Sequence, residues 1–411
     1  MNESLEPDTD QTPSAEELRA RMVERLCRWG AIGTDRMADA FRAVPRHLFI
    51  PGVSLETAYA TSEAPVTKRD EHGAPISSVS APGIIATMLE QAQVQPGHRV
   101  LEIGSGGYQA ALLAELVGPE GSVTTIDIDP EVVERARACL TAADLPGVRV
   151  LCADGEFGAA EYAPFDRIIV AVGAWDLPPA WVEQLAAGGR LVVPLRMRSL
   201  TRSVCFEPDG TRLVARDYHM CGFVPMQGAG EQRQPKVPLA GSEVGLMVDD
   251  DAAVDADRLQ EALSSPRVER WSQVTFGGME PFDDLELWLA TTEPGYGFLS
   301  AKKPAIARGT VSPTYPWGAT AIVDRGSFAY LTKRPTNEEE TEFEFGVYAH
   351  GPDADKLASR FCEHIRIWDR DRRHGPRAQI VAYPAGTPDD DLLPAGLVLP
   401  KKHTTITINW P

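Results

Sequence analysis

The chain lacks the patterns that would tie it to metal, disulfide, membrane or nucleic-acid chemistry. Its six cysteines, Cys27, Cys139, Cys152, Cys205, Cys221 and Cys362, are scattered without a C-x-x-C pair. That removes the usual zinc and redox spacings and leaves reduced, mostly buried thiols as the expectation. Lysine and arginine total 40 against 59 acidic residues, a net charge of −19, which argues against nucleic acid as a partner, since phosphate contacts need clustered lysine and arginine. No apolar run approaches the roughly 18 residues that cross a bilayer, and no basic start leads into an apolar stretch. No membrane partner is therefore expected, and the location expected is the cytoplasm. The acidic run Asp249, Asp250, Asp251, Asp255 and Asp257 has neither calcium-loop spacing nor its closing glutamate, and reads as a solvated helix start. The metal-site expectation is none.

With 411 residues the chain should hold two domains, because single cores seldom grow much beyond about 250–300 residues. Residues 1–14, rich in Glu, Asp, Thr and Pro, read as a disordered tail. Ser14-Ala15-Glu16-Glu17 is a helix start, with Leu18, Met22, Val23 and Leu26 on one face, and Thr34 is a cap for a second helix. The boundaries that follow are a first domain over 15–225, a polar linker over 226–250 and a second domain over 251–411.

The first domain is organised around Arg99-Val100-Leu101-Glu102-Ile103-Gly104-Ser105-Gly106-Gly107-Tyr108. An apolar strand meets a glycine cluster and then opens into the helical run Ala111–Val117, the order of a βα nucleotide site. Glycine suits such a turn because a Cβ would block close approach of ligand to backbone and because the turn visits positive φ. A second strand, Ser122–Asp127, ends in a carboxylate that can accept hydrogen bonds from both ribose hydroxyls. Further strands follow at Val148–Leu151, with Asp154 and Gly155 after it, at Arg167–Val170 and at Arg190–Leu195. Arg202–Phe206 and Leu213–Asp217 read as an antiparallel hairpin around Pro208-Asp209-Gly210. No lysine-serine pair follows the glycines, which excludes a phosphate-cradling loop and points to a nucleoside without phosphates, S-adenosylmethionine.

Val44-Pro45-Arg46-His47-Leu48-Phe49, Ile76-Ser77-Ser78-Val79-Ser80-Ala81-Pro82, Leu101-Glu102-Ile103-Gly104, Gly107-Tyr108-Gln109 and Gly188-Gly189-Arg190-Leu191-Val192-Val193-Pro194 stand in an order that resembles the protein-L-isoaspartate O-methyltransferases. The resemblance covers residues 15–222. Within the family it looks closest to an actinobacterial branch, the "FxLD system" methyltransferases associated with lanthipeptide and related ribosomal-peptide clusters. It implies a Rossmann-like α/β class I S-adenosylmethionine-dependent methyltransferase sheet with N-terminal helices. It also implies that Ser80 sits near the substrate carboxylate. Glu102, Gly104, Ser105, Gly106, Gly107, Asp127, Ile128, Asp154 and Gly155 would surround the donor, with Asp154 at the adenine edge and Glu102 ordering the glycine turn by accepting backbone donors. The family pattern has one more residue in the glycine turn than this chain. Read without the resemblance, Ser80 could instead cap the helix starting at Pro82.

The substrate implied is a modified precursor peptide made on the ribosome, esterified on an aspartate side chain and passing through aspartimide to isoaspartate. The alternatives are isoaspartate methylation in protein repair and a non-catalytic peptide-binding module. Transfer to a carboxylate needs no general base, because the nucleophile is already anionic; alignment and exclusion of water are what the site must supply. Residues 251–411 read as an α+β domain with a mainly antiparallel sheet, expected to grip the peptide. Its elements are a short helical segment ending near Leu289, a hairpin Thr320–Val323 with Ser327–Leu331, a strand Glu342–Tyr348, an amphipathic helix Asp353–Trp368, and strands Ile380–Tyr383 and Thr404–Trp410.

Overall fold

The computed structural model describes residues 13–104, 106–248, 254–394 and 396–411. The expected tail falls mainly on residues 1–12, and Asp249, Asp250 and Asp251 also lie outside the described residues. The described chain forms two compact units. One comprises the residues through Val172 together with Pro179–Val193 and Phe223–Gly230; the other comprises Gly173–Pro178, Pro194–Gly222 and Glu231–Pro411. This partition is not a single cut between 225 and 250. Part of the expected linker packs in the first unit, and Lys236–Leu239 and Val244–Val248 are paired strands.

In the first unit, helix Ala15–Arg28 begins with a reciprocal cap. Ser14 Oγ accepts the Glu17 amide and the Ser14 amide donates to the Glu17 carboxylate at 2.8 Å, which satisfies two otherwise orphaned donors. Its buried face is Met22, Val23 and Leu26. Thr34 caps the helix Asp35–Ala43 in the expected way. The parallel strands run in the order Arg149–Cys152, Ser122–Asp127, Arg99–Ile103, Phe165–Val170 and the first part of Leu185–Met197. The chain starts at Arg99–Ile103, steps to one side, then returns to the other side. The carboxyl end of that central strand is thus a topological switch point, where an open α/β sheet leaves a crevice. Helix Tyr108–Val117 follows the crevice and is largely apolar, with Ala110, Ala111, Leu112 and Leu113 buried and Glu115 on its exposed side, as a helix covered over most of its surface must be.

Leu185 belongs to a strand rather than to the helix after Pro178, which spans only Pro179–Glu183. The charged stretch Lys68–Gly73 is the tip of a β-hairpin, Val66–Arg69 paired with Pro75–Ser78. The Asp70 side chain accepts the amides of His72 and Ala74 at 2.9 and 2.7 Å and so closes the turn.

The second unit is α+β with antiparallel pairing, as expected. Seven strands stand in the order Lys236–Leu239, Val244–Val248, Tyr296–Ala301, Gly318–Asp324, Ser327–Pro335, Glu342–His350 and Val268–Gly277. Helix Ala354–Asp371 buries Leu357, Phe361, Ile365 and Trp368, the stripe its periodicity predicts. Helix Ala256–Ser264 is capped by Asp255, whose side chain accepts the Arg258 amide. Strand Gln379–Pro384 pairs with Thr404–Asn409 on one side and Arg212–Met220 on the other, so the last strands join the Leu200–Asp209 hairpin rather than the seven-stranded sheet.

Candidate active site

At the switch point the chain turns sharply. Gly104 has φ +93°, and a Cβ there would lie 2.7 Å from Val172 Cγ1, so only glycine fits in both conformation and space. Its amide donates to the Ile126 carbonyl at 2.8 Å, fixing the turn to the neighbouring strand. Gly107 is the N-cap of helix Tyr108–Val117, and Gly106 faces Ser78 and Val79 of the loop that carries Ser80. Ser105 lies outside the described residues.

A cleft opens beside this turn, lined by Gly104, Asp127, Ile128 and Gly155 among the expected residues, and also by Ile76, Asp129, Val132, Val172 and the segment Pro225, Met226 and Gln227. Asp127 accepts the Asp129 amide at 2.9 Å, which aims the carboxylate at the end of its strand. Gly155 is buried, and a Cβ there would stand 2.5 Å from Ile103 Cγ2. Asp154, next to Gly155, does not itself line the cleft; its two oxygens accept the amides of Glu156 and Ala229, at 3.0 and 2.8 Å. Its visible work is to pin the segment that closes the cleft.

Glu102 departs from its expected role. It is fully buried, and one carboxylate oxygen accepts the Thr125 hydroxyl, its register partner across the strands; the other has no partner among the described residues. Among the described residues it therefore takes none of the glycine turn's amides, its one hydrogen-bond partner being Thr125. Burial is the main cause that pushes its pKa up, to about 8.

Ser80 is half-buried and follows Val79, which packs on Gly106. It does not cap the next helix: the N-cap of Pro82–Ala92 is Ala81, with no side-chain hydrogen bond, and Pro82 opens the first turn. The cap explanation for this serine is thereby removed.

Two features escaped sequence reasoning. Arg46 is wholly buried and donates to three carbonyls, Ala58 at 2.9 Å, Glu63 at 3.3 Å and Val79 at 3.2 Å, with its guanidinium over the Tyr108 ring. Burial lowers its pKa to about 10, so it remains charged at neutral pH while tying the Ser80 loop to the N-terminal helices. The second feature is Phe223–Gly230. Met226 is buried, and the Gln227 side chain donates to the Ile76 carbonyl at 3.4 Å. Its only sequence signal was Pro-Met-Gln-Gly inside a polar stretch, which looked like a linker.

No helix among the described residues is long and apolar enough to cross a membrane. Among the same residues no group of three or more His, Cys, Asp or Glu is placed to hold a metal.

Comparison with known proteins converges on the same segment. The family model for protein-L-isoaspartate(D-aspartate) O-methyltransferase matches residues 17–231. A protein-L-isoaspartate O-methyltransferase of Methanopyrus kandleri is 38% identical over 221 residues, 53% of this chain and 95% of that protein. Those of Aeropyrum pernix and Hyperthermus butylicus are 41% and 39% identical, over 82% and 89% of their own lengths and 53% and 52% of this chain. With a matched family model over more than half its length and a switch-point crevice behind a glycine turn, the chain belongs to the protein-L-isoaspartate(D-aspartate) O-methyltransferase family and is an S-adenosylmethionine-dependent carboxyl O-methyltransferase.

Proposed function

We propose that this enzyme methylates the α-carboxylate exposed at isoaspartyl residues of polypeptides, the chemistry of protein repair. The observation that carries this reading is the close approach of Ser78 and Val79 to Gly106, where an added Cβ would lie 3.4 Å from Val79 Cγ2 and 3.6 Å from the Ser78 carbonyl oxygen, so that the loop bearing Ser80 lies against the glycine turn. The relatives named above all bear the isoaspartate name, and none brings support for an aspartate in a modified ribosomal precursor peptide.

The residues fit an S-adenosyl group in chemistry. Asp127 offers acceptor oxygens for ribose hydroxyls, Ile128 and Val132 offer apolar surface for a purine, and Gly104 and Gly155 keep the backbone bare. Pro225, Met226 and Gln227 form part of the wall of this cleft. When bound, the group supplies an electrophilic methyl on a sulfonium.

The chain's task is to hold the substrate carboxylate in line with that methyl and keep water out. Ser80 is assigned to donate its hydroxyl to the carboxylate oxygen that does not react. Arg46 positions Ser80 through the Val79 carbonyl. No residue need remove a proton, since the acceptor is ionised at neutral pH. The ester carries methoxide, a far better leaving group than the oxide of an ionised acid, so attack by the next backbone nitrogen on the ester carbonyl breaks the C–OCH3 bond, releases methanol with the amide proton and yields a succinimide without further help from the enzyme.

The test is intact-mass analysis of matched aspartyl and isoaspartyl peptides incubated with enzyme and S-adenosylmethionine. A gain of one methylene on the isoaspartyl peptide alone, followed by loss of methanol, is expected. Methylation of the aspartyl peptide alone would overturn the reading.

A further inference from the structure

The second unit contains a cavity of about 450 Å³ that methyl transfer does not use. Strands Leu200–Asp209, Arg212–Met220, Val244–Val248 and Tyr296–Ala301 each contribute to its wall, together with the turn Tyr315–Gly318. Its volume lies within the range of roughly 300–1,000 Å³ typical of ligand pockets.

The two charged residues in its wall cancel. Arg202 and Glu286 form an ion pair at 3.1 Å with both side chains buried, and the guanidinium also donates to the Asp283 carbonyl at 2.9 Å. The Thr320 hydroxyl donates to the other Glu286 oxygen at 3.3 Å. A pair already neutralised offers no net counter-charge to a guest, so an ionic ligand would lose its hydration without compensation.

What the wall does offer is an aromatic surface held in place. In the turn, the Tyr315 amide donates to the Gly318 carbonyl at 3.0 Å and the Gly318 amide donates to the Tyr315 carbonyl at 3.1 Å. The rings of Tyr315 and Trp317 stack with centroids 5.2 Å apart and planes within 5°. Tyr315 stacks in turn on Phe282 at 5.4 Å, and Phe282 sets its edge against Phe276 and Phe345 of the core. The result is a ladder of three rings, rooted in the core at Phe282 and ending in Trp317, which is 59% exposed. Met220, 44% exposed, lines the same cavity, and Met247 and Phe298 add soft apolar wall. Methionine side chains adapt to a guest ring and make favourable sulfur–aromatic contacts. Ser199 and Gln234, hydrogen-bonded to each other at 2.8 Å, place polar atoms beside this apolar wall, where a peptide backbone could be met.

We propose that this cavity is a subsite for a neutral aromatic side chain of the polypeptide substrate, whose ring continues the Phe282–Tyr315–Trp317 ladder. The inference rests on the reading of a polypeptide substrate given above. A pre-ordered ring stack lowers the entropy lost on binding, which favours a ring over a flexible aliphatic chain.

The test uses short fluorescein-labelled peptides of ordinary aspartate, alike except for Phe or Ser at one position, read by fluorescence anisotropy on the full chain. The Phe peptide should bind about tenfold more tightly, a difference in the range of one buried aromatic contact. Trp317→Ala removes the end of the ladder. Gly222→Leu fills the cavity from a position where a Cβ meets no atom within 4 Å, so neither variant disturbs the core. Both should reduce the preference to about twofold or less while binding of S-adenosylhomocysteine stays unchanged. Equal affinity for the two peptides in the wild type, or a Phe preference kept by both variants, overturns the subsite. Isoaspartyl versions of the same peptides separate the two readings. Methylation without a Phe preference removes the subsite alone, whereas a Phe preference without methylation removes the proposed reaction and leaves the subsite in place.

Discussion

Replacing Glu102 by Gln should change how the protein's stability responds to pH. The carboxyl is fully buried, one oxygen takes the Thr125 hydroxyl and the other has no partner among the described residues. Its pKa rises from 4.5 to about 8, chiefly through burial. The folded state therefore holds a proton that the unfolded chain releases, and stability falls as pH climbs above the unfolded value until it levels off beyond the folded one. At about 1.4 kcal/mol per pH unit, the loss between pH 5 and pH 7 is roughly 2–3 kcal/mol, and roughly 1 kcal/mol more follows by pH 9. Glutamine has the same shape and no charge to release, so the variant should lack this slope. Urea unfolding of both proteins from pH 5 to pH 9, without cofactor, gives the difference directly. The variant should be nearly equal to the wild type at pH 5 and more stable by a few kcal/mol at pH 8 and above. Parallel stability curves for the two proteins would refute a raised pKa, and a variant that loses ground as pH rises would reverse the sign of the argument.

Gly104→Ala should abolish binding of S-adenosylhomocysteine by calorimetry and cost about 2–4 kcal/mol of stability, since the new Cβ meets Val172 at 2.7 Å in a left-handed turn. Asp127→Asn should weaken the same ligand about 10- to 100-fold, the worth of hydrogen bonds to a charged acceptor, while kcat at saturating donor is little changed. Arg46→Met strips donors from the carbonyls of Ala58, Glu63 and Val79. It should lower stability by about 2–4 kcal/mol and reduce kcat/KM for peptide more than it reduces donor affinity; unchanged urea midpoints would contradict the pinning role. Ser80→Ala should lower kcat/KM about 10- to 100-fold with no change in thermal midpoint, because this serine caps no helix.

The order of strand, glycine turn and helix was readable because it is local. Apolar residues in Arg99–Ile103 and Ser122–Asp127, the positive φ at Gly104 and the acid at position 127 all lie within thirty-odd residues of each other, and each leaves a mark on composition or spacing. The amphipathic helix Ala354–Asp371 was readable for the same reason, since its buried stripe recurs at helical period. Glu102 shows where such reading stops. Its strand position was clear, but its partner is Thr125 on the neighbouring strand, and register across a parallel pair is set by the packing of the whole sheet.

Arg46 lies further outside its reach. A buried arginine that satisfies backbone carbonyls at positions 58, 63 and 79 has no periodic signature, because backbone acceptors are the same in every residue. Residues 226–230 read as the start of a linker by composition, yet the Ala229 amide meets Asp154 and the Gln227 side chain meets Ile76. The ladder of Phe282, Tyr315 and Trp317 joins rings more than thirty residues apart. By itself, then, the sequence determined the class of the sheet, the glycine turn and the acid at its edge, because those follow from local propensity and steric need. Which carboxylate stays protonated, what holds the Ser80 loop, and where a second cavity opens were decided only when distant segments packed together, since burial and hydrogen-bond partnership belong to the folded neighbourhood and not to the residue.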